Sequence, residues 1–196
     1  MYFGQQEATM QYGPAVGDLT GDGFNEIVVG DNAGYIHVFN KDGEYILEPK
    51  QFGSVIGTPT LADINNDGGL EIIWSDWASY LYIIDKDLNL LEGFPKYLDP
   101  PLNYPTLPAS YGSVSVADLN NDGNLELIVE SFSCNTSLQQ GCCPAIGKSR
   151  IWVLDNQGNI LEGWPKEKNG LLDKNIVIAD INKDNNKEII FGTFNG

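Results

Sequence analysis

The stretch DINNDGGLE, residues 63–71, decides the fold because it is one of four copies of a single pattern. DLTGDGFNE at 18–26, DLNNDGNLE at 118–126 and DINKDNNKE at 180–188 align with it without gaps. Position 1 is Asp18, Asp63, Asp118 or Asp180, and position 3 is Thr20, Asn65, Asn120 or Asn182. Position 5 is Asp22, Asp67, Asp122 or Asp184, and position 9 is Glu26, Glu71, Glu126 or Glu188. Position 6 is Gly23, Gly68, Gly123 or Asn185, residue types that tolerate a left-handed backbone. A sharp turn at position 6 aims positions 1, 3, 5 and 9 at one centre, together with the position-7 carbonyl of Phe24, Gly69, Asn124 or Asn186. An all-oxygen cage of this size suits a hard, flexibly coordinated cation, Ca2+ before Mg2+.

The spacing separates the loop from an EF-hand, whose twelve-residue loop carries its bidentate Glu at position 12 between two helices. Here the acid comes at position 9 and opens EIVVG, EIIWS, ELIVE or EIIFG, short β-branched runs that read as strands. Asp, Asn and Gly also make good turns without any metal. Recurrence of the same acid at position 9 in all four copies favours a metal-binding β-turn between two strands.

These repeats resemble the FG-GAP and VCBS repeats of integrin-α-type β-propellers and of many secreted microbial proteins. The resemblance rests on Asp-x-Asn-x-Asp-Gly followed by a hydrophobic strand ending in Gly, and it covers nearly the whole chain. It implies one Ca2+ loop between the first two strands of each blade, hence up to four structural ions. Two departures stand out: position 9 is Glu where integrin loops have Asp, and Thr20 replaces Asn at position 3, which implies weaker binding in the first loop.

Downstream of the first three loops lie YIHVFNKDGEYI at 35–46, YLYIIDKDLNLL at 80–91 and RIWVLDNQGNIL at 150–161, each read as a strand, a polar turn and a second strand. They begin 17 residues after the first loop Asp in repeats one and two, and 32 after it in repeat three, so repeat three carries a 15-residue insertion. With the strands AVGDL, PTLADI, VSVADL and IVIADI before the loops, each full repeat supplies four strands. The expected fold is therefore all-β, a β-propeller of four-stranded blades. Three repeats are complete (about 13–56, 57–112 and 113–170) and a fourth, 171–196, is partial, which leaves room for the blades of a longer chain or for self-assembly. The shared tags LLEGFPK at 90–96 and ILEGWPK at 160–166 are expected to end the fourth strand and to wedge Phe94 and Trp164 between blades.

In such a blade the 1–2 and 3–4 turns share one face, and the 2–3 and 4–1 connections share the other. Both long elaborations, 97–112 and 132–149, are of the second kind. Long loops on a rigid scaffold are where binding tends to sit. Tyr97, Tyr104, Tyr111 and Phe132 offer flat faces for a sugar or peptide, so a protein or carbohydrate ligand is expected on the face away from the metals. The competing reading is that these aromatics pack the two loops on each other.

Net charge is −16, with a pI near 4.1, which argues against nucleic acid as a partner. Twelve of the 27 acids lie in the four loops, and four Ca2+ would halve the net charge to −8, so the acidity reads as metal demand. No apolar run is long enough to span a membrane. Cys134, Cys142 and Cys143 are the only cysteines, and the lone histidine, His37, is far from them, so a zinc site lacks ligands. A disulfide from Cys134 to Cys142 or Cys143 in an oxidising compartment fits better, with the third thiol free to pair between chains. These readings place the protein outside the cell or at its surface, as a recognition, adhesion or assembly module rather than an enzyme. The alternative is a fragment of a propeller-type polysaccharide lyase or another secreted carbohydrate-active enzyme. Against it, twelve of the acids are taken up by the loops, and no Ser-His-Asp order, histidine cluster or phosphate-cradling Gly loop is present.

Overall fold

A computed structural model describes residues 10, 12–53, 57–98, 106–109, 113–135, 148–169 and 176–192. Every β-branched run after a loop forms a strand that pairs back, antiparallel, with the short strand before it. The first sheet is β1 (Ala15–Gly17), β2 (Glu26–Gly30), β3 (Tyr35–Phe39) and β4 (Lys50–Gln51) in that order. The second is β5 (Thr60–Ala62), β6 (Glu71–Ser75), β7 (Tyr80–Ile84) and β8 (Lys96–Tyr97). A further strand, β9 (Thr106–Ala109), belongs to the third sheet, whose path is β10 (Ser115–Ala117), β11 (Glu126–Asn135), β12 (Lys148–Leu154) and β13 (Lys166–Asn169). The fourth holds β14 (Val177–Ala179) and β15 (Glu188–Ile190). The chain is thus all-β, a β-propeller of four-stranded blades with a partial fourth. No helix among the described residues is long and apolar enough to cross a membrane.

The core lies between blades, and strand alternation puts it there. In β6 and β7, Ile72 pairs with Ile84 and Trp74 with Tyr82, and all four pack with Leu19, Val28, Ile36 and Val38 of the first blade. The intervening Ile73, Leu81 and Ile83 point the other way and pack with Leu127, Val129, Trp152 and Leu154 of the third blade. A third cluster joins Ile128, Ile151 and Val153 to Ile178 and Ile189 of the fourth. A strand buried on both faces loses its polar alternation, and EIIWS accordingly has all five residues buried. Each fully buried Ile contributes about 1.5–3 kcal/mol relative to exposure. Trp74 stacks on Tyr82 at 4.9 Å between ring centroids, with Phe52 edge-on to Trp74 at 5.3 Å.

The fourth strand departs from expectation. The segments 44–46, 89–91 and 159–161 do not run on as strands. Each makes one bridge (Phe39↔Tyr45, Ile84↔Leu90, Leu154↔Ile160), after which the chain leaves the sheet and pairs again at β4, β8 and β13. In blades two and three the break is a tight turn at Gly93 (φ 87°) and Gly163 (φ 83°), a conformation that costs glycine nothing. The tag therefore precedes the outer strand instead of ending it. The wedge itself is present: Phe94 is buried among Leu127, Leu154 and Ala62 between blades two and three, and Trp164 packs on the cluster between three and four.

The insertion of repeat three is also not a loop from its first residue. β11 continues to Asn135 and pairs with Lys148 and Ser149 of β12, while β9 pairs with 132–135 of β11. Backbone pairing thus joins the two elaborations, and Pro108, which has no N–H to donate, sits in the edge strand where it is tolerated. Tyr97 lies in the outer strand β8 and not in the connection. Tyr104, Tyr111, Cys142 and Cys143 fall outside the described residues. Phe132 and Cys134 are placed as backbone positions of β11, facing Ala109 and Leu107 of β9.

Candidate metal centre

Each loop joins an inner strand to its neighbour, and its own carboxylates satisfy the backbone that turns. The position-1 Asp gathers N–H groups from positions 4 to 6. Asp18 Oδ1 accepts from Gly21 and Asp22 at 2.8 and 3.1 Å, and Oδ2 from Gly23 at 2.9 Å. Asp180 repeats the set with Lys183, Asp184 and Asn185, and Asp63 and Asp118 take the position-5 and position-6 donors. The position-5 carboxylates of Asp22, Asp67, Asp122 and Asp184 each accept the N–H of Phe24, Gly69, Asn124 or Asn186 at 2.8 Å. Oxygen lone pairs remain on both groups.

Position 9 closes the base. Oε2 of Glu26, Glu71, Glu126 and Glu188 accepts the N–H of the position-2 residue, Leu19, Ile64, Leu119 or Ile181, at 2.7–3.0 Å. The Glu reaches this donor from the start of the strand, and in the second and fourth loops its Oε1 faces the position-3 amide. Glu26, Glu71 and Glu126 are buried, as are Leu19 and Ile64, which root the first two loops in the sheets.

The position-3 asparagine shows where positive charge is wanted. Asn65 Nδ2 donates to Asp67 Oδ2 at 2.9 Å and to Glu71 Oε1 at 3.2 Å. Asn182 bridges Asp184 and Glu188 in the same way, at 3.1 and 2.9 Å, and Asn120 reaches Asp122 at 3.0 Å. The amide's donor end thus lies between two carboxylates that a cation would share. Among the described residues no three His, Cys or carboxylate side chains converge as a ready-made metal group, since the position-1 Asp turns into the backbone. The oxygens at the centre are those of the two carboxylates; the asparagine turns its NH2 toward them, while its Oδ1 accepts the position-5 N–H of Asp67, Asp122 or Asp184, so the amide must turn over to offer its oxygen to an ion. Electrostatics favour a cation there. Burial pushes the Glu71 carboxyl up, and the Asp67 and Asp63 charges push it further, against the lowering by the Ile64 N–H. Glu126 is raised in the same way by burial and by Asp122 and Asp118. Asp122 and Asp184 are lowered, chiefly by the N–H of Asn124 and Asn186. The residues present therefore fit a hard divalent ion.

Position 6 is left-handed as the sequence implies, at φ 89° for Gly23, Gly68 and Gly123 and 71° for Asn185. Position 4 is left-handed too: Gly21 at 77°, Asn66 and Asn121 at 60°, Lys183 at 64°. Sequence reading missed this second turn, although Gly and Asn at three of the four positions signal it. It also passed over Asp31 and Asp76, each 1% exposed. Asp31 Oδ1 accepts from Ala33 and Tyr35 and its Oδ2 meets His37 Nε2 at 3.0 Å. Asp76 accepts from Ala78 and Tyr80 and from Tyr82 Oη at 3.3 Å, and burial followed by the Asp76 charge raises the Tyr82 phenol strongly. The repeated DNAGY at 31–35 and DWASY at 76–80 carries that signal.

On the face that carries the loops, a shallow pocket lined by Leu19, Asp67, Gly69, Leu70, Glu71, Asp85, Lys86 and Asp87 brings the second loop beside its own 3–4 turn. On the opposite face Trp77, Tyr80 and Tyr97 are 40%, 37% and 44% exposed, and the Tyr80 and Tyr97 rings lie 5.1 Å apart.

The FG-GAP-like repeat family matches at residues 18–74 and again at 63–129, more than half of the chain. The chain belongs to that family. Both matches start on the first Asp of a loop and run into the next blade, so the FG-GAP-like unit is counted from loop to loop. Among solved structures, the crystal structure of BBS1N in complex with ARL6DN, soaked with lead, is similar with a TM-score of 0.62 and 16% identity. The likeness covers 93% of this chain and 50% of that one, so the chain spans half the length of that neighbour, and at this identity the likeness carries the fold. No curated protein matches.

Proposed function

We infer that this chain is a Ca2+-stabilised FG-GAP propeller module for recognition or assembly outside the cell, with structural rather than catalytic metals. The observation that carries the reading is the position-3 amide held between the position-5 and position-9 carboxylates, seen for Asn65 and again for Asn182. Asp18, Thr20, Asp22, Glu26 and their equivalents would hold the ions, with the position-7 carbonyls completing each set. Bound Ca2+ supplies charge neutralisation and cross-links the loop. The chain's own groups hold the turn by hydrogen bonds and anchor its base in the sheet. Calcium modules of the extracellular space work at roughly 0.1–1 mM free ion, where loops built from neutral as well as charged oxygens suffice. The same reading takes repeats of about 13–56, 57–112, 113–170 and 171–196 as the organisational units.

Recognition is assigned to the face opposite the metals. There Trp77, Tyr80 and Tyr97 are exposed, and β9 and β11 pair the two elaborations through their backbones. The solved neighbour is a complex with another protein, which supports a protein ligand, while the exposed, adjacent rings of Tyr80 and Tyr97 also suit a sugar. Fourteen of the 27 acids are tied to turns, twelve in the loops and Asp31 and Asp76 in inner turns. This supports a non-enzymatic role. Metal analysis of protein purified without chelator tests the reading and should find more than one equivalent of Ca2+. Protein that binds none at millimolar calcium refutes it.

A further inference from the structure

Consecutive metal loops touch. Asn66, at position 4 of the second loop, donates Nδ2–H to Asn124 Oδ1 of the third loop at 3.1 Å. Asn124 donates its own amide and backbone N–H to Asp122 Oδ1 at 3.0 and 2.8 Å. One blade on, Asn121 at position 4 of the third loop donates to the Asn185 carbonyl of the fourth at 3.0 Å. The Asn185 N–H is held by Asp180 Oδ2 at 2.9 Å, and Lys187 donates back to the Asp118 carbonyl. The first loop has Gly21 at position 4, with no side chain to reach its neighbour, and the second offers Gly69 at position 7. A line of contacts therefore runs through loops two, three and four and stops short of loop one.

Position 4 needs a left-handed residue, and glycine meets that need at no steric cost. Asparagine meets it almost as well and adds an amide where the loops meet. Each amide ends on a group that a carboxylate of the next loop already holds: Asn124 by Asp122, Asn185 by Asp180. Fixing those carboxylates fixes the acceptor and thereby the neighbouring loop.

Building on the calcium reading above, we propose that Asn66 and Asn121 are positioning residues that couple ion binding in loops two, three and four. These loops fill as a cooperative set, and loop one fills separately. Coupling of this kind is reciprocal, so a ion in any of the three raises affinity in the others by the same factor. A neutral hydrogen bond shifts an equilibrium by roughly two- to tenfold, which sets the scale for each link.

The test is a calorimetric Ca2+ titration of the chelator-stripped protein, its N66G/N121G variant and its G21N variant. Glycine keeps the left-handed turn and reproduces what loop one already has, so the double variant retains the fold. The parent should show a steep multi-site phase beside a separate, looser one. N66G/N121G should keep the stoichiometry while the steep phase broadens to independent binding and weakens by roughly two- to tenfold per link. G21N, which puts an amide at the same loop position as Asn66 and Asn121 where a Cβ meets open space, should draw loop one into the cooperative phase. Independent sites in the parent, or a double variant with unchanged steepness and affinity, would overturn the coupling and leave the calcium reading standing. Absence of any binding heat and of any calcium-dependent change in melting would overturn both.

Discussion

Glu71→Gln separates the two things that the position-9 carboxylate does. Glu71 is 4% exposed and accepts hydrogen bonds from the Ile64 N–H at 3.0 Å and Asn65 Nδ2 at 3.2 Å. Glutamine keeps an oxygen for the Ile64 N–H and has nearly the same volume, so the base of the loop stays closed. The Ile64 bond becomes a neutral one and the Asn65 bond is lost, because the new NH2 faces the Asn65 Nδ2 donor; together these cost about 1–2 kcal/mol. Removing a buried charge that lies beside Asp67 and Asp63 works in the other direction, as the raised Glu71 carboxyl shows. Without calcium the variant should therefore melt within about 1 kcal/mol of the parent. With calcium the outcome reverses. One filled site stabilises by about 2.7 kcal/mol at a hundredfold excess of ion over Kd. At 2–4 °C per kcal/mol for a domain of this size, that is roughly 5–11 °C of calcium-induced shift, which the variant should lose. Scanning fluorimetry of parent and variant in EDTA and in about 10 mM Ca2+, a hundredfold excess over a Kd of about 0.1 mM, reads all four values. A variant that keeps the parent's full calcium shift would show that Glu71 is no ligand. One that loses more than about 3 kcal/mol in EDTA would show that the carboxylate is a structural core group.

Ile73→Ala, at a fully buried site between blades two and three, should cost about 2–5 kcal/mol in urea unfolding, whereas Val16→Ala, 58% exposed, should stay within about 0.5. Gly158→Ala should cost about 1–2 kcal/mol or more by the same measurement, because φ there is 78° and a Cβ would lie 2.9 Å from Lys96 Cε and 3.1 Å from Phe94 Cζ. The Asp31 carboxyl, raised by burial but pulled lower by His37 and the Tyr35 and Ala33 N–H groups, lies below its ordinary 3.8. Its stabilisation is present above about pH 4 and is lost as pH falls through the lowered folded value, so Asp31→Asn should flatten that part of an acid melting curve. Tyr97→Ala with Trp77→Ala should abolish ligand binding on the far face while the melt moves by less than about 1 kcal/mol, and an unchanged affinity would remove that face from consideration.

The loops and inner strands were legible because their chemistry is local. Asp, Asn, Gly and Glu at fixed offsets make a turn that needs no distant partner, and EIIWS can bury itself only as a strand. The Phe94 wedge was legible for the same reason, through the shared Gly-aromatic-Pro step. The outer strands were not, since Lys50–Gln51 and Lys96–Tyr97 are two residues each and leave no alternation to read. Pairing of β9 with the far end of β11 joins segments more than twenty residues apart across an edge that contains Pro108, and no local pattern announces it. At the candidate centre, the sequence indicated which residues ring the loop. It could not show that the position-1 Asp turns into the backbone, since that depends on the second left-handed turn at position 4.

Because each apolar cluster belongs to two sheets, the unit that folding protects is the seam and not the blade. Hydrogen exchange should be slowest along the Ile72–Ile84 and Ile73–Ile83 pairs, which have a seam on either side, and faster toward the two-stranded end. The same feature bears on ancestry. A duplication cut from loop to loop carries three strands of one sheet and the first strand of the next, and every seam it creates joins the same two kinds of face. Such a lineage can gain or lose copies without inventing a new contact, provided that each added copy keeps both faces apolar.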